Sequence, residues 1–264
     1  MSTRLTILAC GSSTGVPRVG GDWGKCDPSN PRNRRRRSSA LIERRRAGHA
    51  TTVLVDTGPD LREQLLSADV RHLDGVLFTH EHADHTHGID DLRMLAYAMK
   101  RRINVWMDQP TRDSVVGRFK YCFEKPAGSN YPPILTAHDI VLPQPIRIEG
   151  EGGVIEAIPI LQEHGDIPSL GFRIDNVAYS PDISGLAAAS VPLLEGLDLW
   201  IVDALRYQPH PSHWSVGQTL EWVGRLKPKR TILTHLHIDL DYALLKRELP
   251  AGVEPAYDGM VVEF

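Results

Sequence analysis

GVLFTHEHADHTHG, residues 75–88, opens on an apolar run and then sets four of the chain's twelve histidines within eight positions: His80, His82, His85 and His87. The run at 75–79 reads as a strand. Beyond it, an extended backbone would alternate His80, His82 and Asp84 onto one face, and a turn at Asp84 and His85 would bring a further imidazole round. Three imidazoles and a carboxylate between positions 80 and 85 are borderline donors. They suit zinc, manganese or iron rather than calcium or magnesium. Scattered surface histidines rarely cluster in this way.

One such cluster cannot complete two metal shells, so further donors must arrive from distant strand ends. His164 in LQEHGD, Asp182 in YSPDIS and His235 in ILTHLH each follow a strand candidate, the usual place for a site in a mixed α/β protein. Apolar runs predict strands at 5–10, 39–43, 52–56, 75–79, 104–107, 146–149, 154–159, 169–174, 177–180, 199–203, 231–234 and 260–264, and period and punctuation predict helices at 59–67, 91–100, 111–124, 185–194, 215–225 and 241–248. Helices and strands alternate at both ends while the middle is mostly strand, which suggests two mixed sheets facing each other with helices outside. No linker divides the chain, so residues 1–264 are expected to form one domain.

Of the 264 residues, 41% are hydrophobic and 24% charged, a composition that excludes disordered and fibrous classes. No stretch approaches the roughly 18 apolar residues of a membrane span, and the opening does not read as a signal peptide. A cytoplasmic location without a membrane partner is expected. Three cysteines at wide spacing, Cys10, Cys26 and Cys122, argue against a disulfide framework. The net charge of −3 gives no general pull toward nucleic acid, yet residues 31–46 carry eight arginines against one glutamate. That segment reads either as a solvated basic strand and turn or as a phosphate-facing patch, because guanidinium forks match phosphate oxygens.

These residues resemble the metallo-β-lactamase superfamily, whose HxHxDH pattern is met by His80, His82, Asp84 and His85 and whose later His, Asp and His are matched by His164, Asp182 and His235. The opening GSSTGVP, the segment NPRNRRRRSSALI, VDTGPD and LTHLH extend the likeness over nearly the whole chain. More narrowly, the chain is similar to the branch containing the cyclic phosphodiesterase of bacterial phosphonate breakdown, with the transfer-RNA 3′-processing endonuclease more distant. The resemblance implies an α/β fold, an αββα sandwich of two mixed β-sheets with flanking helices, and a cleft holding two divalent ions, zinc or manganese. His80, His82 and His164 would hold one ion, Asp84, His85 and His235 the other, and Asp182 would bridge them. Asp84 also counts as a catalytic candidate, with His213 and Asp203. His213 would protonate the departing alkoxide or steady the phosphoryl oxygens, and Asp203 would orient it.

Relatives of this branch carry a CxCxxC zinc knuckle completed by a late histidine; here those positions are Gly21, Trp23, Cys26 and Ile238. With one ligand of four, no structural zinc is expected at Cys26, and the loop from Gly20 would be held otherwise, by packing of Trp23 for instance. Asp56 reads as support for a ligating histidine or a loop amide, or as a turn former. His237 is expected to contact the Gly20 loop, His210 to be subordinate to His213, and His49, His72 and His138 to lie on the surface, while His87, which could approach the cleft, is expected to stand outside the site. The function expected is hydrolysis of small cyclic phosphates or nucleotide-like diesters. The rivals are transfer-RNA processing, for which no long basic arm is present, thioester or lactam hydrolysis, and a non-catalytic binding module, against which all seven ligand candidates stand intact. A homodimer is an expectation by resemblance.

Overall fold

Short aliphatic runs punctuated by glycine and proline become fifteen strands among residues 2–264, the part of the chain that this computed structural model describes. They divide between two compact units.

The first unit comprises residues 2–8, Ser39–Ile155 and Val261–Phe264. Its strands are β1 (Ser2–Ala9), β2 (Ser39–Arg46), β3 (His49–Val55), β4 (Gly75–Leu77), β5 (Ile103–Met107), β6 (Leu135–Asp139), the short β7 (Ile146–Ile148) and, at the end of the chain, β15 (Met260–Glu263). One mixed sheet runs in the order β15-β1-β2-β3-β4-β5-β6. β2 and β3 form an antiparallel hairpin, whereas β3, β4, β5 and β6 are parallel. Because Val55 pairs with Leu77, the residues that leave β3 and β4 emerge at the same sheet edge. The core gathers Leu41, Leu54, Leu61, Val76, Phe78 and Val105, all buried. Helices α1 (Leu61–Ser67), α2 (Ala83–Thr86), α3 (Arg93–Met99), α4 (Gln109–Arg118) and α5 (Lys120–Phe123) complete the unit. Asp108 caps α4 by accepting from the Thr111 amide at 3.1 Å. Just past α2 the backbone approaches so closely that a Cβ on Gly88 would lie 2.1 Å from the Gly58 carbonyl oxygen, so only glycine fits there.

The second unit comprises Ala9–Ser38 and Glu156–Met260. Strands β8 (Ile155–His164), β9 (Ile167–Ile174), β10 (Val177–Ser180), β11 (Gly185–Leu186), β12 (Leu199–Asp203), β13 (Arg230–Thr234) and β14 (Val253–Pro255) form a mixed sheet in the order β11-β8-β9-β10-β12-β13-β14. β8 and β10 both run antiparallel to β9, and β10, β12, β13 and β14 run parallel. The C-terminal ends of β8, β10, β12 and β13 therefore share one edge. Ile160, Trp200, Val202, Trp214, Leu233 and Leu245 form the core. Helix α6 (Val216–Leu226) starts in a capping box between Ser215 and Gln218, and Asp241 caps α7 (Tyr242–Glu248) through the Leu244 amide at 3.0 Å.

Several expectations are corrected. The segment 83–86 is a helical turn rather than extended chain, so Asp84 leaves the alternation with His80 and His82. The helix expected at 185–194 is instead β11 followed by a 3-10 segment, Ala188–Leu194, containing Pro192, which lacks an N–H and whose ring crowds the preceding turn. The helix expected at 111–124 breaks at Phe119 into α4 and α5. Strands β6 and β14 were not anticipated.

The arginine-rich segment does not form one surface. Arg35 is buried and donates to the carbonyls of His237 (3.1 Å) and Leu240 (2.7 Å) and to Asn33 Oδ1 (3.3 Å). Arg36 pairs with Asp258 at 3.1 Å, and Arg44, also buried, donates to Thr3 Oγ1 and to the carbonyl of Val154. Cys26 packs with Val16 and Ile238, with Trp23 alongside, and its thiol faces the carbonyls of Ile238 (3.4 Å) and Leu240 (3.5 Å).

Candidate metal centre

In the first unit the donors follow β4 directly. His80 is buried, His82 stands in the extended N-cap position of α2, and Asp84 and His85 lie within that helix. The His80 ring lies 4.6 Å from that of His82 and 4.3 Å from that of His85, centroid to centroid. Asp56, the residue after β3, organises the group. One carboxylate oxygen bonds His85 Nδ1 at 2.7 Å and accepts from Thr79 Oγ1 at 2.8 Å, and the other accepts from the Thr79 amide at 2.8 Å. Burial pushes the Asp56 carboxyl above its ordinary range, and the neighbouring His85 and the Thr79 bonds pull it back. Asp56 sits at φ 65°, a left-handed conformation unusual for a residue with a side chain. Its two expected roles, support for a histidine and for a loop amide, are both present.

In the second unit the shared strand edge delivers His164 from the end of β8, Asp182 two residues past β10, Asp203 from the end of β12 and His235 directly after β13. His213 precedes the α6 cap. His164 Nδ1 lies 2.6 Å from the Ser212 carbonyl oxygen; a carbonyl only accepts, so this nitrogen carries the proton and Nε2 the lone pair. That Nε2 lies 3.7 Å from Asp182 Oδ2. His213 Nδ1 bonds Asp203 Oδ2 at 2.7 Å, and its Nε2 lies 3.9 Å from the same Asp182 oxygen. His235 Nδ1 lies 3.2 Å from Ser38 Oγ and 3.2 Å from Asp182 Oδ1. The rings of His213 and His235 stack at 4.7 Å. Asp182 is fixed through its backbone, its carbonyl accepting from Ser169 Oγ at 2.6 Å and Gln162 Nε2 at 3.3 Å. Burial raises the Asp203 carboxyl well above the usual carboxylate range, against the pull of His213. His235, like Asp56, is left-handed, at φ 57°.

The donor chemistry tests whether a cation fits. One ligand atom each from His164, Asp182 and His213 lies within 4.8 Å of the others, and all three residues are buried. An imidazole lone pair facing a buried carboxylate is repulsive unless a proton or a cation stands between them. The same holds for His85, whose Nε2 is 3.3 Å from Asp84 Oδ2 while Nδ1 is engaged by Asp56. Imidazoles with the far nitrogen held by a carboxylate or carbonyl are the arrangement a transition-metal ligand requires, and the groups fit a divalent ion.

The sequence reading missed Thr79, Ser38 and the Ser212 carbonyl. Ser38 lies within the quoted NPRNRRRRSSALI segment and Thr79 directly precedes the histidine cluster, whereas a backbone carbonyl leaves no signal in sequence. The remaining histidines engage other partners, although the His210 ring lies 5.3 Å from that of His213. His237 bonds Arg18 of the loop preceding Gly20 and, through Nδ1, Asp239 at 3.0 Å; His210 bonds Ser212; His49 pairs with Glu151; and His72 reaches Thr52. His138 departs from the expected surface position, half-buried and stacked on Trp106 at 5.0 Å. No helix among the described residues is long and apolar enough to cross a membrane.

Residues 51–236 match the Beta-lactamase superfamily domain. The chain is similar to a crystal structure described as a new diphosphatase from the PhnP family, with 34% identity and a TM-score of 0.89 over 100% of this chain and 98% of that one. A human tRNase Z, the short form ELAC1, shares the fold at 19% identity and a TM-score of 0.63, covering 98% of both chains. A curated octanoyltransferase from Porphyromonas gingivalis (strain ATCC BAA-308 / W83) is 33% identical over 262 residues, 97% of this chain and 51% of that protein. The chain thus spans about half the length of that relative.

Proposed function

This chain belongs to the beta-lactamase superfamily, in its PhnP-like branch; on that premise we propose that it is a metal-dependent hydrolase that cleaves small phosphodiesters with two divalent ions, zinc or manganese. His80, His82 and His164 would hold one ion, and Asp84, His85 and His235 the other, with Asp182 shared; the two compact units would then serve as one hydrolase domain over residues 1–264. When bound, such a pair lowers the pKa of water toward neutrality and braces charge on the phosphoryl oxygens. Asp56 and the Ser212 carbonyl set which nitrogen of His85 and of His164 would face the ions, and the Ser38 hydroxyl orients the His235 ring. His213 moves a proton at Nε2 to the leaving oxygen, and Asp203 at Nδ1 orients the ring and favours its protonated form.

The observation that carries this reading is the buried Asp203–His213 pair aimed at Asp182, because a phosphodiester with an alkoxide leaving group needs a proton donor beside the ions. The PhnP-family relative, described as a diphosphatase, supports a phosphorus substrate. The test is a screen of the zinc- or manganese-loaded chain with bis(p-nitrophenyl) phosphate, cyclic nucleotides, a thioester and a lactam. Phosphodiester turnover is expected; turnover of the thioester or lactam alone would overturn the assignment. Location in the cytoplasm and a homodimeric state belong to the same proposal, the latter read by sedimentation equilibrium.

A further inference from the structure

A wide-open surface cavity of about 640 Å³ lies beside His82 and is lined by that histidine, Ala83, His87 and Arg118, all exposed, and by the half-buried Phe119. Local structure builds it. His82 and His87 flank α2 as its N-cap and C-cap, and α4 ends at Arg118. At the break between α4 and α5, Phe119 leaves helical geometry (φ −121°, ψ 37°) and meets the His87 ring at 5.5 Å, 74° between planes. Behind it, the ring packs on the apolar core of the first unit. Arg118 is held by the Glu81 carbonyl at 2.9 Å and more loosely by the Glu81 carboxylate at 3.6 Å.

We infer that this cavity receives a planar aromatic ring carried by one ester arm of the substrate, a nucleobase, and that Phe119 is the residue which selects for it. The inference rests on the reading of His82 as a metal ligand, since a phosphoryl group held there would project its ester arm into the adjoining space. The walls are those of a stacking site: an aromatic ring, an imidazole, a methyl group, and a guanidinium able to lie on a ring or donate to base edges. A ring-free sugar phosphate would leave Phe119 and Ala83 facing water. The substrate class is thereby narrowed to nucleotide-type diesters.

The test is calorimetric titration of the zinc-loaded full chain with AMP and with ribose 5-phosphate, which has a hydroxyl at the anomeric carbon where AMP has adenine. AMP is expected to bind on the order of tenfold more tightly, the scale of one base stacked on one aromatic side chain. The difference should vanish in Phe119→Ala and survive in Phe119→Trp. Should Phe119→Ala fail to fold, the wild-type difference and NOEs from adenine to the Phe119 ring protons decide. Equal affinity in the wild type, or an undiminished difference in Phe119→Ala, overturns the inference. Bis(p-nitrophenyl) phosphate separates the two readings: its hydrolysis without an adenine preference sinks this site alone, and an adenine preference without any phosphodiester hydrolysis sinks the proposed reaction alone.

Discussion

The donor sets of the two units are steered by different chemistry. In the first, one buried carboxylate, Asp56, holds His85 and the Thr79 segment together. In the second, three unlike groups do the work: the Ser212 carbonyl for His164, the Ser38 hydroxyl for His235 and the Asp203 carboxylate for His213. A carbonyl only accepts and so fixes the tautomer, a hydroxyl can donate or accept and orients the ring without fixing it, and a carboxylate also raises the basicity of the ring it holds. On the proposed reading, Asp203 supports a histidine that carries a proton, and Asp56 one that binds an ion. Each set also contains one left-handed residue at a strand end, Asp56 and His235, a conformation that costs about 1 kcal/mol or more and persists where the surroundings over-determine it.

This contrast is sharpened or broken by four substitutions. Asp182→Asn removes the carboxylate that His164, His213 and His235 all face; a loss of several kcal/mol of charge stabilisation, about 10³-fold in kcat, is expected in steady-state assays. Near-normal turnover would move the shared ligand elsewhere. His213→Gln should lower kcat by about 10²–10⁴-fold for a diester with an alkoxide leaving group and much less for p-nitrophenolate, which needs no proton; an equal loss on both would make His213 a ligand rather than a proton donor. For Asp56→Asn, chelator competition should show metal affinity weakened by about 10–100-fold. If only urea stability changes, Asp56 forms the turn and does not support a ligand. Ser38→Ala, the mildest, removes a neutral bond of about 1 kcal/mol and should weaken metal affinity less than tenfold. An effect as large as that of Asp56→Asn would erase the distinction between charged and neutral supports.

The first donor set was legible because it is local: His80, His82, Asp84 and His85 span six positions after a strand, and no tertiary contact is needed to bring them close. Even so, the extended alternation expected for them gives way to a helical turn at Ala83–Thr86. Helix 185–194 failed for a reason visible in the sequence, Pro192, which lacks an N–H and whose ring crowds the preceding turn. The arginine segment misled differently. Its charge is a property of composition, but burial of Arg35 and Arg44 against carbonyl oxygens is a property of packing.

Residue types and short spacings alone thus determined the donor chemistry, the strand-rich α/β character and the family, because imidazole and carboxylate identities and their local order do not depend on the rest of the chain. Tertiary packing brings the ends of β8, β10, β12 and β13 to one edge, so that His164, Asp182, Asp203 and His235 meet. It alone decided which imidazole nitrogen each partner engages. Strand order and register are set by packing among residues far apart in sequence, and hydrogen-bond direction by backbone groups common to every residue, so neither leaves a mark that can be read one position at a time.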